Sequence, residues 1–229
     1  MDNVVELFSG TGSFSKVAVK HNYTAHTYDN CPQANDFGHH HNVDILHDEI
    51  VLPDNVAYVW ASPPCETFSI ASVSHHWRII NGKRVPISGR AVIGLALLEK
   101  TIELIAKMKA PFWMENPRGC MRKLIDQEKY FEKYGIKDVT RDTIMYCRYG
   151  AKSMKPTDIW HSTGWTPRPK CKNYRYDKEG NIIDRHCHHE VARRGARTGI
   201  QGIKSYREKS RIPSQLFDDI FKYIKENDE

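Results

Sequence analysis

The chain has 229 residues, 40% hydrophobic and 27% charged, which suits one globular domain with a small appendage and excludes collagen-like, disordered and disulfide-scaffold classes. No stretch approaches the ~18 apolar residues of a membrane span. Met1-Asp2-Asn3-Val4 lacks a charged-then-apolar signal pattern, so the expected setting is cytoplasmic, with six reduced cysteines. Of the net charge of +6, residues 168–211 hold 13 Lys and Arg against 5 Asp and Glu, which leaves the rest at −2. A near-neutral body with one basic segment fits a polyanion partner as well as it fits a solvated surface.

Residues 3–8 form a short apolar run ending at Ser9-Gly10-Thr11-Gly12, and a helical stretch follows with Phe14, Val17 and Ala18 on one side. This reads as a strand, a glycine turn and a helix. Residues 23–28 read as a second strand ending at Asp29, and Val43-Asp44-Ile45 as a weak third. Residues 56–61 read as a buried fourth strand, stopped by Ser62-Pro63-Pro64-Cys65 because proline cannot continue a central ladder. Residues 66–90 are polar and loop-like, with Gly82 and Gly89 as hinges. The clearest helix spans 90–109, where Ala91, Leu95, Leu98, Ile102, Ile105 and Met108 recur at helical spacing until Ala110-Pro111. Phe112-Trp113-Met114-Glu115 reads as a fifth strand ended by Asn116-Pro117. Residues 142–148 and 157–161 resemble two further strands, close enough to be antiparallel neighbours. Residues 163–211 show no sustained apolar period, and after Pro213 a last helix carries the stripe Leu216, Phe217, Ile220, Phe221 and Ile224.

Strands alternating with helices argue for an open α/β sheet, in which ligands sit at the carboxyl ends of strands. The glycine turn, the Pro-Pro-Cys and the Glu-Asn-Pro each follow a predicted strand, so all three are expected on one rim. Gly10 and Gly12 let the backbone approach a ligand, and Asp29, nineteen residues past Gly10, is placed to bind ribose hydroxyls. Ser15 stands where a dinucleotide motif has its third glycine, so a nucleoside-type cofactor without phosphates fits better. Cys65 behind two prolines is aimed like a nucleophile, though a lone cysteine is more often inert. Glu115 is expected to be partly buried, with a raised pKa that lets it share a proton with a substrate ring, or else to cap a helix or pair with Arg118 or Arg122. In 66–90, His75, His76, Trp77, Arg78, Lys83, Arg84 and Arg90 suit phosphate contact plus stacking or wedging, against the alternative of a mobile surface loop. Cys171, His186, Cys187, His188 and His189 offer zinc ligands, but their spacing matches no named zinc pattern and the plainer reading is a polar loop.

Taken together, these motifs resemble the DNA (cytosine-5) methyltransferases, in the form of a compact phage-type member. Glu6-Leu7-Phe8-Ser9-Gly10-Thr11-Gly12 is similar to that family's cofactor-binding opening, Ser62-Pro63-Pro64-Cys65 to its catalytic Pro-Pro-Cys, and Glu115-Asn116-Pro117 to its Glu-Asn-Val. Asp29 and Asp44-Ile45 look like its next cofactor contacts, and Arg211-Ile212-Pro213 with Leu216 and Ile220 like its closing segment. The resemblance implies a Rossmann-like class I S-adenosylmethionine-dependent methyltransferase, α/β with a mostly parallel central sheet and a reduced target-recognition region. It implies a catalytic core over 1–162, a basic recognition segment over 163–211 and a closing helix over 212–229 that packs back on the core. S-adenosylmethionine is then expected against Phe8, Ser9, Gly10, Thr11, Gly12, Ser13 and Phe14, with Asp29, Asn30, Asp44, Ile45 and Pro63. Cys65 would attack carbon 6 of a flipped-out cytosine, and Glu115 would contact the ring N3 and exocyclic amine.

Duplex DNA would be held by His75, His76, Trp77, Arg78 and Arg84 on one side and by Arg193, Arg194 and Arg197 on the other. A restriction-modification setting and a monomeric state complete the picture. The family's Gln-x-Arg-x-Arg element falls near Ser153-Met154-Lys155-Pro156-Thr157, where Lys155 stands for the first arginine and Thr157 cannot replace the second, leaving Arg148 or Arg118 to compensate. Two other readings stay open: a DNA-binding protein of this fold that no longer catalyses, and a methyltransferase acting on RNA or free nucleotides.

Overall fold

The computed structural model describes residues 1–32, 38–171, 174–176, 178–179, 182–185 and 205–227. Its strands are β1 (Asn3–Leu7), β2 (Thr24–Asp29), β3 (His39–Asn42), β4 (Val56–Ala61), β5 (Trp77–Ile80), β6 (Lys83–Pro86), β7 (Phe112–Pro117), β8 (Thr140–Met145), β9 (Pro156–His161), β10 (Tyr174–Tyr176) and β11 (Ile182–Arg185). Its helices are α1 (Ser13–Lys20), α2 (Val73–His76), α3 (Gly89–Met108), α4 (Met121–Glu128), α5 (Tyr130–Lys133), α6 (Tyr206–Ser210) and α7 (Ser214–Asn227), with a 3-10 turn at Tyr146–Tyr149. Seven strands form one sheet in the order β3-β2-β1-β4-β7-β9-β8. β1 pairs parallel with both β2 and β4, β2 with β3, and β4 with β7. This mostly parallel sheet with helical crossovers is a Rossmann-like open α/β fold.

Contacts divide the chain into two compact units, Met1–Arg141 with Asp158–Gly164, and Asp142–Thr157 with Trp165–Glu229. In the first, β1, β4 and β7 read as near-continuous apolar runs because a parallel strand is covered on both faces. Val5, Leu7, Val59, Ala61, Leu98, Ile102, Phe112 and Met114 are fully buried there. α3 is capped by the Ser88 hydroxyl, which accepts from the Ala91 amide at 3.2 Å, and it ends on Lys109 in the left-handed conformation, ahead of Pro111. Arg122 binds the buried Asp158 through its Nε at 2.8 Å and through a second guanidinium nitrogen.

In the second unit the α7 stripe Leu216, Phe217, Ile220, Phe221 and Ile224 is buried, as its spacing predicts. Arg168 forms a fork on Asp219 at 2.6 Å for both bonds, donates to the Arg148 carbonyl at 2.8 Å and lies over the Tyr149 ring.

Three expectations are corrected. The third strand is His39–Asn42 rather than 43–45: His39 pairs with His26 and Asn42 with Asp29, and Asp44 begins a turn by accepting from the Leu46 amide at 2.9 Å. Residues 66–90 are not a loop throughout but hold α2 and the antiparallel hairpin β5–β6. Residues 118–141, which the sequence reading assigns to no element, contain α4 and α5, with Met121, Leu124, Ile125, Tyr130 and Phe131 buried.

Candidate functional site

The strand order turns back between β1 and β4, the switch point where open α/β sheets leave a crevice. Register sets Tyr28 beside Leu7, Leu7 beside Ala61, and Ala61 beside Met114. The residues that follow this row are Asp29, Phe8, Ser62 and Glu115, so the four motifs share one rim. Neighbouring strands lie about 4.8 Å apart, which spreads the row over roughly 15 Å. The ladder runs on past the strands: the Ser9 amide donates to the Tyr28 carbonyl at 3.2 Å and the Ser62 amide to the Leu7 carbonyl at 3.1 Å.

Two bonds join the segment after β4 to the end of β7 and the turn that follows it. The Asn116 side chain, fully buried, donates to the Pro63 carbonyl at 2.9 Å. The Cys120 amide donates to the Phe68 carbonyl at 2.8 Å. Gly119 permits that approach, since a Cβ there would lie 2.1 Å from the Phe68 carbonyl oxygen. The Cys65 carbonyl accepts from the Phe68 and Ser69 amides at 3.0 and 3.2 Å, which folds the chain sharply behind the thiol. Cys65 is half-buried and Glu115 is 5% exposed.

The glycine turn is backbone-driven. Phe8, Gly10 and Gly12 all have positive φ, at 57°, 48° and 63°, and a Cβ built on Gly10 would meet nothing within 4 Å. Open backbone therefore faces the crevice there. The Ser9 hydroxyl is buried without a hydrogen-bond partner, which leaves a polar group for a ligand to satisfy. Asp29 accepts from the Gly10 amide and the Cys31 amide, both at 2.9 Å, tying β2 to the turn. A carboxylate has about four acceptor sites, so two remain for hydroxyls. Asp44 accepts from Leu46 and from His47 Nδ1 at 3.0 Å, and the His47 bond is the main cause holding its pKa below the ordinary value. These residues fit a nucleoside-type cofactor: an open glycine backbone, an unsatisfied buried hydroxyl and two acids at successive strand ends.

Behind the turn, Glu6 is buried and accepts from the Phe14 amide at 3.2 Å, the Ser15 amide at 2.9 Å and the Ser15 hydroxyl at 2.6 Å. Burial raises its pKa to about 7 against these three bonds. Glu6 and Asn116, which the sequence places within motifs without a part of their own, and Gly119, which it does not single out, are positioning residues; an acid inside an apolar strand run is a visible signal for the first.

Several predicted site residues stand elsewhere. Phe14 and Ile45 are buried in the core, Phe14 stacked on Trp60, so neither side chain is presented to a ligand. Trp77 is 3% exposed, bonded through its indole N–H to the Thr67 carbonyl at 2.8 Å, so it offers no ring for stacking. His75, Arg78, Lys83 and Arg90 are exposed, while His76 and Arg84 are half-buried. In the second unit, Lys155 is 8% exposed with its ammonium over the Tyr146 ring at 4.7 Å, and Thr157 donates to the Lys155 carbonyl at 3.0 Å. Arg193, Arg194, Arg197, His186, Cys187, His188 and His189 lie outside the described residues. Among the described residues no cluster of metal-ligating side chains occurs, and no helix is long and apolar enough to cross a membrane.

No protein-family model matches the chain. A probable DNA (cytosine-5)-methyltransferase of Frog virus 3 is 28% identical over 173 residues, covering 72% of this chain and 73% of the relative. The chain is thus similar to a cytosine-5 methyltransferase in sequence, as its motifs indicate. Among solved structures, the Dnmt2 methyltransferase of S. pombe gives a TM-score of 0.46 at 15% identity and DNMT2 of Spodoptera frugiperda 0.43 at 16%, covering 76% and 75% of this chain. The chain spans 54% of each of those two. Entamoeba histolytica methyltransferase EhMeth gives 0.48 at 11% identity, covering 100% of this chain and 99% of the other.

Proposed function

We propose that this protein is a DNA (cytosine-5-)-methyltransferase that uses S-adenosylmethionine. The observation that carries the reading is the buried Asn116–Pro63 bond, which locks the Pro-Pro-Cys turn to the Glu-Asn-Pro strand end on one rim of a class I sheet. The similarity to a probable DNA (cytosine-5)-methyltransferase supports it. The backbone of Phe8–Gly12, the Ser9 hydroxyl, Asp29 and Asp44 would hold the cofactor. S-adenosylmethionine bound there supplies a methyl group on a sulfonium, which departs as a neutral thioether.

The chain's own part is nucleophilic and electrostatic. The Cys65 thiolate adds to carbon 6 of a cytosine taken out of the base stack, where the ring is otherwise unreachable. That addition places negative charge on the ring, and Glu115, held at the next strand end, neutralises it by giving its carboxyl proton to N3 while its other oxygen accepts from the exocyclic amine. Once carbon 5 is methylated, its proton passes to a base and the Cys65 sulfur is expelled, restoring the aromatic ring. Basic residues of 168–211 and of the segment after Cys65 are assigned to the DNA phosphates, with 163–211 as the recognition segment.

Tritiated S-adenosylmethionine with duplex DNA tests the assignment. Label is expected to enter cytosine in DNA, and Cys65→Ala is expected to lower transfer to background while cofactor binding persists. Transfer by Cys65→Ala would move the nucleophile elsewhere, and label entering tRNA instead of DNA would replace the substrate assignment.

A further inference from the structure

Glu6 is the acid in the run of β1, and its side chain serves helix α1 rather than the sheet. Gly12 stands at the N-cap of α1 with no side chain to cap it, and the first turn of the helix holds no acid. Glu6 supplies the cap from β1. It accepts from the Phe14 amide at 3.2 Å and the Ser15 amide at 2.9 Å, two of the amides that a helix start leaves without an intrahelical partner. The Ser15 hydroxyl adds a third bond at 2.6 Å. Dinucleotide-binding sheets seat a cofactor phosphate at that helix start. Here the chain's own carboxylate takes the phosphate's place.

The loop Phe8–Gly12 joins the strand end that carries Glu6 to the helix turn that Glu6 binds, and Gly10 and Gly12 add no side chains to it. Glu6 is buried beside Thr27 and Trp60, its neutral neighbours in register. On the elements around it the titratable groups are three. Lys16 of α1 carries a charge that favours ionisation of Glu6. Asp29 of β2 is bound to the Gly10 amide, and His40 of β3 is bonded to Thr27. Burial raises the Glu6 carboxyl to about 7, so its charge changes across neutral pH. A charge held out of water acts more strongly on its surroundings than one in solvent.

We propose that Glu6 selects the cofactor by charge: its carboxylate, behind the loop assigned to S-adenosylmethionine, favours the sulfonium cation of the methyl donor over the neutral thioether left after transfer. This rests on the reading of Phe8–Gly12 as the cofactor loop. Donor and product differ by one methyl and one positive charge. A cation bound near the carboxylate favours its ionised form, and by linkage the ionised form binds the cation more tightly. The preference for donor over product therefore rises with pH as Glu6 ionises. Once the methyl has left, the carboxylate has no cation to favour, and the product is held less firmly than the donor.

Calorimetric titration of the full chain with S-adenosylmethionine and with S-adenosylhomocysteine, in steps from pH 6 to pH 9, tests this without turnover. In wild type the ratio of the two affinities is expected to move toward the donor as pH rises, by about fivefold more than in Glu6→Gln, which cannot ionise. The ligands' own ionisation is common to both proteins and cancels in that comparison. Ser15→Ala keeps the carboxyl but removes a bond to its charged form, so its rise is expected about one pH unit higher. That variant carries the test if Glu6→Gln does not fold. Equal rises in wild type and Glu6→Gln overturn the proposal, as does a Ser15→Ala profile that coincides with wild type. Wild type that binds neither ligand sinks the cofactor reading instead, so the two failures are told apart within one series of titrations.

Discussion

Burial sets the protonation of Glu6, and through it the stability of the glycine turn depends on pH. Its carboxyl sits at about 7 in the fold against an ordinary 4.5, because burial outweighs the three bonds from Phe14 and Ser15 that favour the charged form. A carboxyl raised by folding binds its proton more tightly in the native state. Its contribution is therefore complete below about pH 4.5 and is lost as pH rises through about 7. Glu6→Gln keeps the shape and cannot ionise, but it turns an amide nitrogen toward the Ser15 donors, which costs about 1–3 kcal/mol for a buried unmatched group. The variant is expected to melt below wild type at pH 6, with the gap closing toward pH 8. Melting curves that stay parallel from pH 6 to 8 would show that Glu6 does not titrate in that range.

At the scale of elements, β3 is held by aromatic and imidazole contacts rather than by apolar packing. His26 and His39 rings lie 4.9 Å apart, His26 Nδ1 and His41 Nε2 are 3.4 Å apart, and His41 stacks on Tyr28 at 4.4 Å. Burial, and then the neighbouring histidines, lower the pKa of His26 and His41. A histidine lowered by folding stabilises the native state fully above its unfolded value near 6.5, and that stability is lost as pH falls below it. Wild type is expected to lose more melting temperature between pH 7 and pH 5 than His41→Gln loses, and an equal loss would place the acid sensitivity elsewhere.

This edge also shows what a sequence can and cannot disclose. β1, β4 and β7 are legible because strands covered on both faces must be apolar runs, and the motifs at their ends follow from that. β3 is four polar residues, His-His-His-Asn, whose strand state comes from pairing with β2 and leaves no periodic trace. The hairpin β5–β6 does leave a trace in Asn81-Gly82 between Ile79-Ile80 and Val85, but the polar residues around it mask the pattern. Trp77 reads as a stacking residue on composition alone. Only the three-dimensional contact with Phe68 and Thr67 shows that it is the hairpin's anchor.

For the whole molecule, charge and length bear on how the proposed DNA substrate would be held. Under the proposed division, the recognition segment 163–211 is about fifty residues long, and the excess of basic residues in the chain falls there. With little surface for base-edge contacts, affinity for DNA should come mainly from phosphates, whose neutralisation releases counterions. The logarithm of the association constant is then expected to fall steeply and linearly with the logarithm of salt, with a slope of about −0.9 per phosphate contacted. Two groups of cations should be separable by this measurement. Arg84→Gln is expected to flatten the slope by about one and to weaken binding evenly across sequences. Replacing Arg193, Arg194 and Arg197 together is expected to flatten it by about three. If the slope of the triple variant matches wild type, the basic 168–211 segment does not touch the backbone. The hairpin after Cys65 would then be left as the main electrostatic contact.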